Sequence, residues 1–156
     1  MRIVQKGYKS IYEEKAKAYE DVAPNTKSEF KRHIRDGAGH YIAICQLWRL
    51  LNPFLGISSL IYWSHRIFRW MAPFILIALY AGNFILMDQP FFYFLFYLQT
   101  AFYLMACLGM LGHGRKLPFL IYVPFYFCNL NLALFIGFLK VITGVQRTTW
   151  ESTTRK

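Results

Sequence analysis

Apolar and polar positions fall into long blocks along this chain, not into a fine alternation. From Met71 to Leu111 there is a single charged residue, Asp88. A bilayer core is about 30 Å thick, and a helix needs about 20 mainly apolar residues to cross it. Met71 to Met87 and Phe91 to Leu111 approach or meet that length, with Asp88-Gln89-Pro90 as a short polar turn between them. Strands would place polar residues at every second position, and these runs do not. The pattern predicts two membrane helices joined as a hairpin. A third apolar run, Phe119 to Ile142, is interrupted by Pro124, Asn129 and Asn131. Lipid-facing asparagine is costly, so both are expected to face other helices.

Upstream the period changes. Thr26 with Glu29 has capping-box spacing and predicts a helix start. From Phe30 the apolar residues Phe30, Ile34, Tyr41, Cys45 and Trp48 share one stripe, with Arg32, Arg35, Gly39 and Gln46 opposite. Such a helix is expected to lie in the membrane interface, basic side toward the cytoplasm. Gly37 and Gly39 weaken it and permit another backbone to come close. Asn52-Pro53 ends it, and Leu55 to Trp70 reads as a second amphipathic piece. Pro73 is expected in the first turn of the first span, where a missing N–H costs little. Residues 2–22 are soluble in character, with a strand expected from Tyr8 to Tyr12. The resulting division is 1–24, 25–70 (interfacial helices), 71–143 (about three spans) and 144–156 (basic tail).

Charge sharpens the picture. The net charge is +10 over 156 residues, of which 56% are hydrophobic. Beside so much apolar sequence, the basic balance points to anionic membrane lipid and away from nucleic acid. Residues 1–70 carry 12 Lys+Arg and 6 Asp+Glu, which places them on the cytoplasmic side of an inner membrane, together with the 112–118 loop. Three clean crossings would put the basic tail on the far side, against the same rule. No signal peptide precedes the first polar segment. The cysteines Cys45, Cys107 and Cys128 are odd in number, lack metal-like spacing and read as small buried apolar residues.

No catalytic constellation is complete. There is no Asp-x-Asp pair, no glycine-rich phosphate loop and no paired-histidine metal motif, and His33, His40, His65 and His113 are scattered. The basic residues Lys31, Arg32 and Arg35 are the candidate chemistry, because guanidinium forks fit phosphate oxygens. A solvated face drawn to anionic headgroups explains the same residues.

Four segments, in order, resemble the C-terminal part of family 2 membrane glycosyltransferases, relatives of cellulose and hyaluronan synthases. They are Gly7-Tyr8-Lys9-Ser10-Ile11-Tyr12 with Ala16 and Ala18, then Phe30-Lys31-Arg32-His33-Ile34-Arg35 with Gly39. Ser64-His65-Arg66-Ile67-Phe68-Arg69-Trp70-Met71-Ala72-Pro73 and Trp150 to Arg155 follow. Ser64–Pro73 is the most specific. The resemblance implies an α-helical integral membrane protein with a short extended remnant of a GT-A-like catalytic domain over 1–24. It implies sugar transfer from a nucleotide sugar to a polysaccharide or lipid-linked acceptor, with a divalent metal in the complete enzyme. The family's nucleotide-binding half, metal-binding acids and catalytic base have no counterpart here. They would come from a separate chain or a missing part, and the 156 residues alone are expected to be inactive. A Gln-x-x-Arg-Trp motif of the family falls on Arg32, Arg35 and Asp36, where only Arg35 agrees. With Lys31, these are the implied substrate-binding residues. The change at Asp36 speaks against processive synthesis and leaves single or short-chain transfer open. A small non-enzymatic adaptor that docks a cytoplasmic partner is the alternative reading.

Overall fold

The computed structural model describes residues 26–112 and 117–145, together with 8, 12, 13 and 15–17. The Tyr8–Tyr12 strand and the 146–156 part of the basic tail fall largely or wholly outside these residues. Among the described residues there is no strand. Helix α1 spans Thr26–Gln46, and two 3-10 turns follow, Trp48–Leu51 and Pro53–Leu55. The short α2, Ile57–Tyr62, runs through a π-helical turn, Trp63–Ile67, into α3, Phe68–Ile85. Helix α4 is Pro90–Leu111 and α5 is Phe119–Ile142. Three helical stretches are long and apolar enough to cross a membrane: Ser59–Ile85, Pro90–Leu111 and Phe119–Ile142. Their outward faces carry many large apolar side chains, among them Ile77, Phe84, Phe94, Leu104 and Leu120. A water-soluble surface rarely shows so large a contiguous apolar area, so this is a multi-pass membrane protein.

Two expectations about helix ends are corrected. Helix α1 stops at Gln46, before Asn52-Pro53. Asn52 instead caps the next turn, its Oδ1 accepting from the Phe54 N–H at 3.0 Å. Nor is Pro73 in a first turn, because the helix is already running from Ser59. An interior proline removes one rung of the ladder, here the partner of the Arg69 carbonyl. The Tyr41 hydroxyl donates to the adjacent carbonyl, that of Trp70, at 2.6 Å. The carbonyls freed in the 3-10 turns are met by side chains of the following helix. Ser59 Oγ lies 2.7 Å from the carbonyl oxygens of both Leu50 and Asn52, and Trp63 Nε1 donates to that of Leu51 at 2.8 Å. A small core closes over this corner: Tyr41, Leu47, Leu50, Tyr62, Ile67 and Trp70.

Helices α3 and α4 form the expected hairpin. Polar groups hold its two arms together. Asn83 Nδ2 donates to Gln99 Oε1 at 3.0 Å, and the Tyr80 and Thr100 hydroxyls are 3.2 Å apart. Gln99 Nε2 donates to Tyr103 at 2.7 Å and reaches the Leu76 carbonyl at 3.4 Å. Helix α1 touches the hairpin only at its base, where Tyr41 meets Trp70 and Phe74 and His40 stacks on Trp70. It runs beside α5 in the same direction, from Glu29 against Tyr126 to Tyr41 against Phe138.

The buried face of α1 also differs from the expected apolar stripe. Gly37, Ala38 and Tyr41 are buried, whereas Cys45 and Trp48 are exposed. Small residues explain this. A Cβ on Gly137 would stand 2.7 Å from the Ala38 nitrogen, and one on Gly37 would stand 3.3 Å from the Leu134 Cα. The two backbones touch, as small residues allow between helices in lipid. Gly39 has nothing within 4 Å, so only Gly37 of the expected pair does this.

Candidate functional site

The expected site residues all lie on α1, and the structure separates them. Lys31 and Asp36 are exposed, and Arg32 and Arg35 are half-buried. Arg35 Nε is 3.9 Å from Asp36 Oδ1, a loose pair in a wet setting that contributes little to stability. These four residues lie off the Gly37, Ala38 and Tyr41 face that α1 buries.

A second line of polar residues was not singled out from the sequence. Glu29, His33, Asp36 and His40 recur at helical spacing and share one flank of α1. The Glu29 carboxylate is 3.5 Å from His33 Nε2 and accepts from the Tyr126 hydroxyl at 3.3 Å. Glu29 therefore ties α1 to α5, in addition to any part it has at the helix start. His40 stacks on Trp70 with ring centroids 4.7 Å apart. Burial pushes the His40 imidazole below its ordinary range. Asp36 opposes the shift, and the positive charges of Arg69 and Arg66 add to it. So Asp36, His40, Arg66 and Arg69 form one electrostatic group where α1 meets the start of the first span. The spacing of acids and histidines along α1 was visible in the sequence, but their meeting with Arg66 and Arg69 was not. Treating the histidines one by one passed over that spacing. Tyr41, beside this group, is pushed up to about 12 by burial.

Among the described residues, no three His, Cys, Asp or Glu side chains are placed to share a metal ion. The divalent metal implied by the glycosyltransferase resemblance does not fit these residues and would need ligands from elsewhere. The cysteines are free thiols, as expected, but Cys45 and Cys107 are exposed and not buried.

On the opposite side of α5 from α1 lies an apolar cavity of about 420 Å³. Pro73 and Ile77 of α3, Tyr103 and Met110 of α4, and Phe125 and Asn131 of α5 contribute to its wall. Asn131 is buried, and its Nδ2 donates to the Phe127 carbonyl of its own helix at 2.9 Å. Its Oδ1 is buried with no hydrogen-bond partner. The expectation that Asn131 faces other helices holds in position, but its donated bond stays within α5. A cavity of this lining at membrane depth suits a hydrocarbon chain, with one acceptor left for a donor group.

Compared with family models, curated proteins and solved structures, the chain matches none.

Proposed function

We propose that this chain is the membrane module of a family 2-like glycosyltransferase. In this reading a nucleotide-sugar-binding half, carried outside these residues, transfers sugar to a polysaccharide or lipid-linked acceptor. The reading rests on four sequence segments in family order. The observation that carries it furthest is that α5 is flanked on one side by arginine-bearing α1 and on the other by an apolar cavity. In this reading α1 would handle phosphate at the membrane surface and the cavity would take hydrocarbon, with α5 between them. Arg35 and Arg32 would engage diphosphate or lipid phosphate through forked N–H groups. The cavity would take part of the carrier's hydrocarbon. The inner membrane, with residues 1–70 on its cytoplasmic side, is the setting in which a nucleotide sugar would meet this site.

The test is purification of the protein from its native membranes together with whatever accompanies it. A metal-dependent release of nucleotide from a nucleotide sugar by that complex, absent from the isolated chain, supports the proposal. Within the complex, Arg35→Ala is expected to lower the rate about tenfold or more, the scale of a lost charge-assisted hydrogen bond. Recovery with only a non-transferase partner replaces the proposal with the adaptor reading.

A further inference from the structure

The third apolar helix meets the hairpin in a way that a third crossing would not. In α3 and α4, Tyr80 pairs with Thr100 and the Phe84 ring meets that of Phe96 at a tilt. Extended along the two helices, that pairing sets Leu111, the end of α4, level with Trp70. Helix α5 begins from this level. Leu117 packs on Gly112, and Phe125 lies against Gly109 so closely that a Cβ there would be 2.5 Å from the Phe125 Cβ. From Phe125 to Val141 the helix advances about 24 Å, close to the thickness of the hydrocarbon core. A crossing helix would have carried Val141 up to the 86–89 turn. Instead, Phe135 and Phe138 both pack on Phe74, and Val141 lies against the core cluster of Tyr41, Leu47, Leu50, Tyr62, Ile67 and Trp70, which sits at the base of the first span. Both ends of α5 stay at the open end of the hairpin.

Two independent observations agree. Helix α1 lies along α5 from Glu29 to Tyr41, bearing Lys31, Arg32, Arg35 and Asp36. If α5 crossed, α1 would be drawn through hydrocarbon with these charges, which is costly. Basic residues also stand at both ends of α5, Arg115 and Lys116 before it and Lys140 and Arg147 within and after it. The 71–111 block has no Lys or Arg at all. The positive-inside rule then favours one side for both ends of α5.

We infer that α5 does not span the bilayer but lies in the leaflet on the α1 side, with α1 above it at the headgroups. Together they form a two-helix layer whose partner is the anionic lipid surface. The apolar circumference of α5 sits among acyl chains, and α1 shields it from water with its Gly37 and Ala38 face. The conflict between three spans and a basic tail disappears, because only α3 and α4 cross. This inference does not depend on the glycosyltransferase reading.

Side-specific thiol labelling of the full chain in sealed membrane vesicles tests it. The native thiols are removed as Cys45→Ser, Cys107→Ala and Cys128→Ala. Single cysteines are then placed at Lys27, at Asp88 in the turn and at Val145 just after α5, all exposed. With a membrane-impermeant maleimide, Lys27→Cys and Val145→Cys are expected to label from the same side, and Asp88→Cys from the other. Thr143→Cys, also exposed, repeats the measurement if Val145→Cys accumulates poorly. Labelling of the site after α5 together with Asp88→Cys, and not with Lys27→Cys, overturns the inference.

Discussion

The α3–α4 hairpin and the α1–α5 pair solve the same problem by different means. Lipid offers no hydrophobic force to press helices together, so association needs polar links or close backbone packing. The hairpin uses polar links, centred on Gln99 with Asn83, Tyr103 and the Leu76 carbonyl. The α1–α5 pair uses closeness, with Gly137 on Ala38 and Gly37 on Leu134. The difference follows from what each pair must join. Two apolar arms need a specific register, which directional hydrogen bonds supply. A polar helix resting on an apolar one needs contact area along its length, with the Glu29–Tyr126 bond as a polar tie near its start. Small residues give that area.

The sharpest way to break this contrast is Gly137→Leu. Its Cβ would meet the Ala38 nitrogen at 2.7 Å and the Ile34 carbonyl at 2.8 Å, backbone atoms that a rotamer change does not move. A cost of about 3 kcal/mol is expected, the upper end for overpacking. In detergent, thermal unfolding followed by circular dichroism should show an early transition from α1 release while the hairpin persists. Gly39→Ala is the control, since nothing lies within 4 Å of that position. It should stabilise α1 by about 0.5 to 1 kcal/mol. An unchanged melting curve for Gly137→Leu would show that the small-residue contact does not hold α1 on α5.

The hairpin was legible from the sequence because its signal is bulk. An uncharged block with one turn leaves little choice of fold. The α1–α5 pairing was not legible, because its signal is an absence of side chain. Gly37 reads locally as a weak point in a helix, and only the position of Gly137 far along the chain turns it into a contact. The apolar stripe misled for a related reason: Cys45 and Trp48 continue the pattern, but Cys45 is in the last turn of α1 and Trp48 lies beyond its end. Pro73 was misplaced because Arg66, Arg69 and Trp70 mark where water ends, not where the helix starts. At the candidate site, Arg32 and Arg35 were readable as phosphate-binding chemistry. The Asp36, His40, Arg66 and Arg69 grouping was not, since it joins two elements whose packing nothing in the sequence announces.

Two conservative substitutions sharpen the other half of the comparison. Gln99→Leu removes the polar centre of the hairpin and strands the Asn83 amide, leaving the Tyr80–Thr100 pair in place. A loss of about 1 kcal/mol is expected, within the range measured for hydrogen bonds between membrane helices. Helix–helix register, read by crosslinking of cysteine pairs across α3 and α4, should broaden. Tyr41→Phe removes the bond to the Trp70 carbonyl beside the Pro73 gap and is expected to cost about 1 kcal/mol. That loss should appear at the α1 end of the molecule and leave the hairpin register intact. If both variants broaden the same register, the two pairs are not separate units.

The smallest expected effect is a pH dependence set by His40. Burial against Trp70, with Arg69 and Arg66 nearby, holds its folded pKa below the unfolded value of 6.5. The unfolded chain therefore binds the proton more readily than the folded one. By linkage the contribution is present in full above the unfolded pKa and is lost as pH falls through the folded pKa. The contact between α1 and the start of α3 should thus weaken on acidification below about pH 6.5, the unfolded pKa. Asp36 on the same flank lessens the shift, so Asp36→Asn should deepen it and move the acid transition to lower pH. His40→Gln should flatten this part of the profile. The readout is thermal stability of the α1 transition across the acidic range, with His33→Gln as the comparison, because His33 sits beside Glu29 and away from Trp70. A slope that survives His40→Gln but disappears with His33→Gln would assign the titration to the Glu29 end of α1 instead.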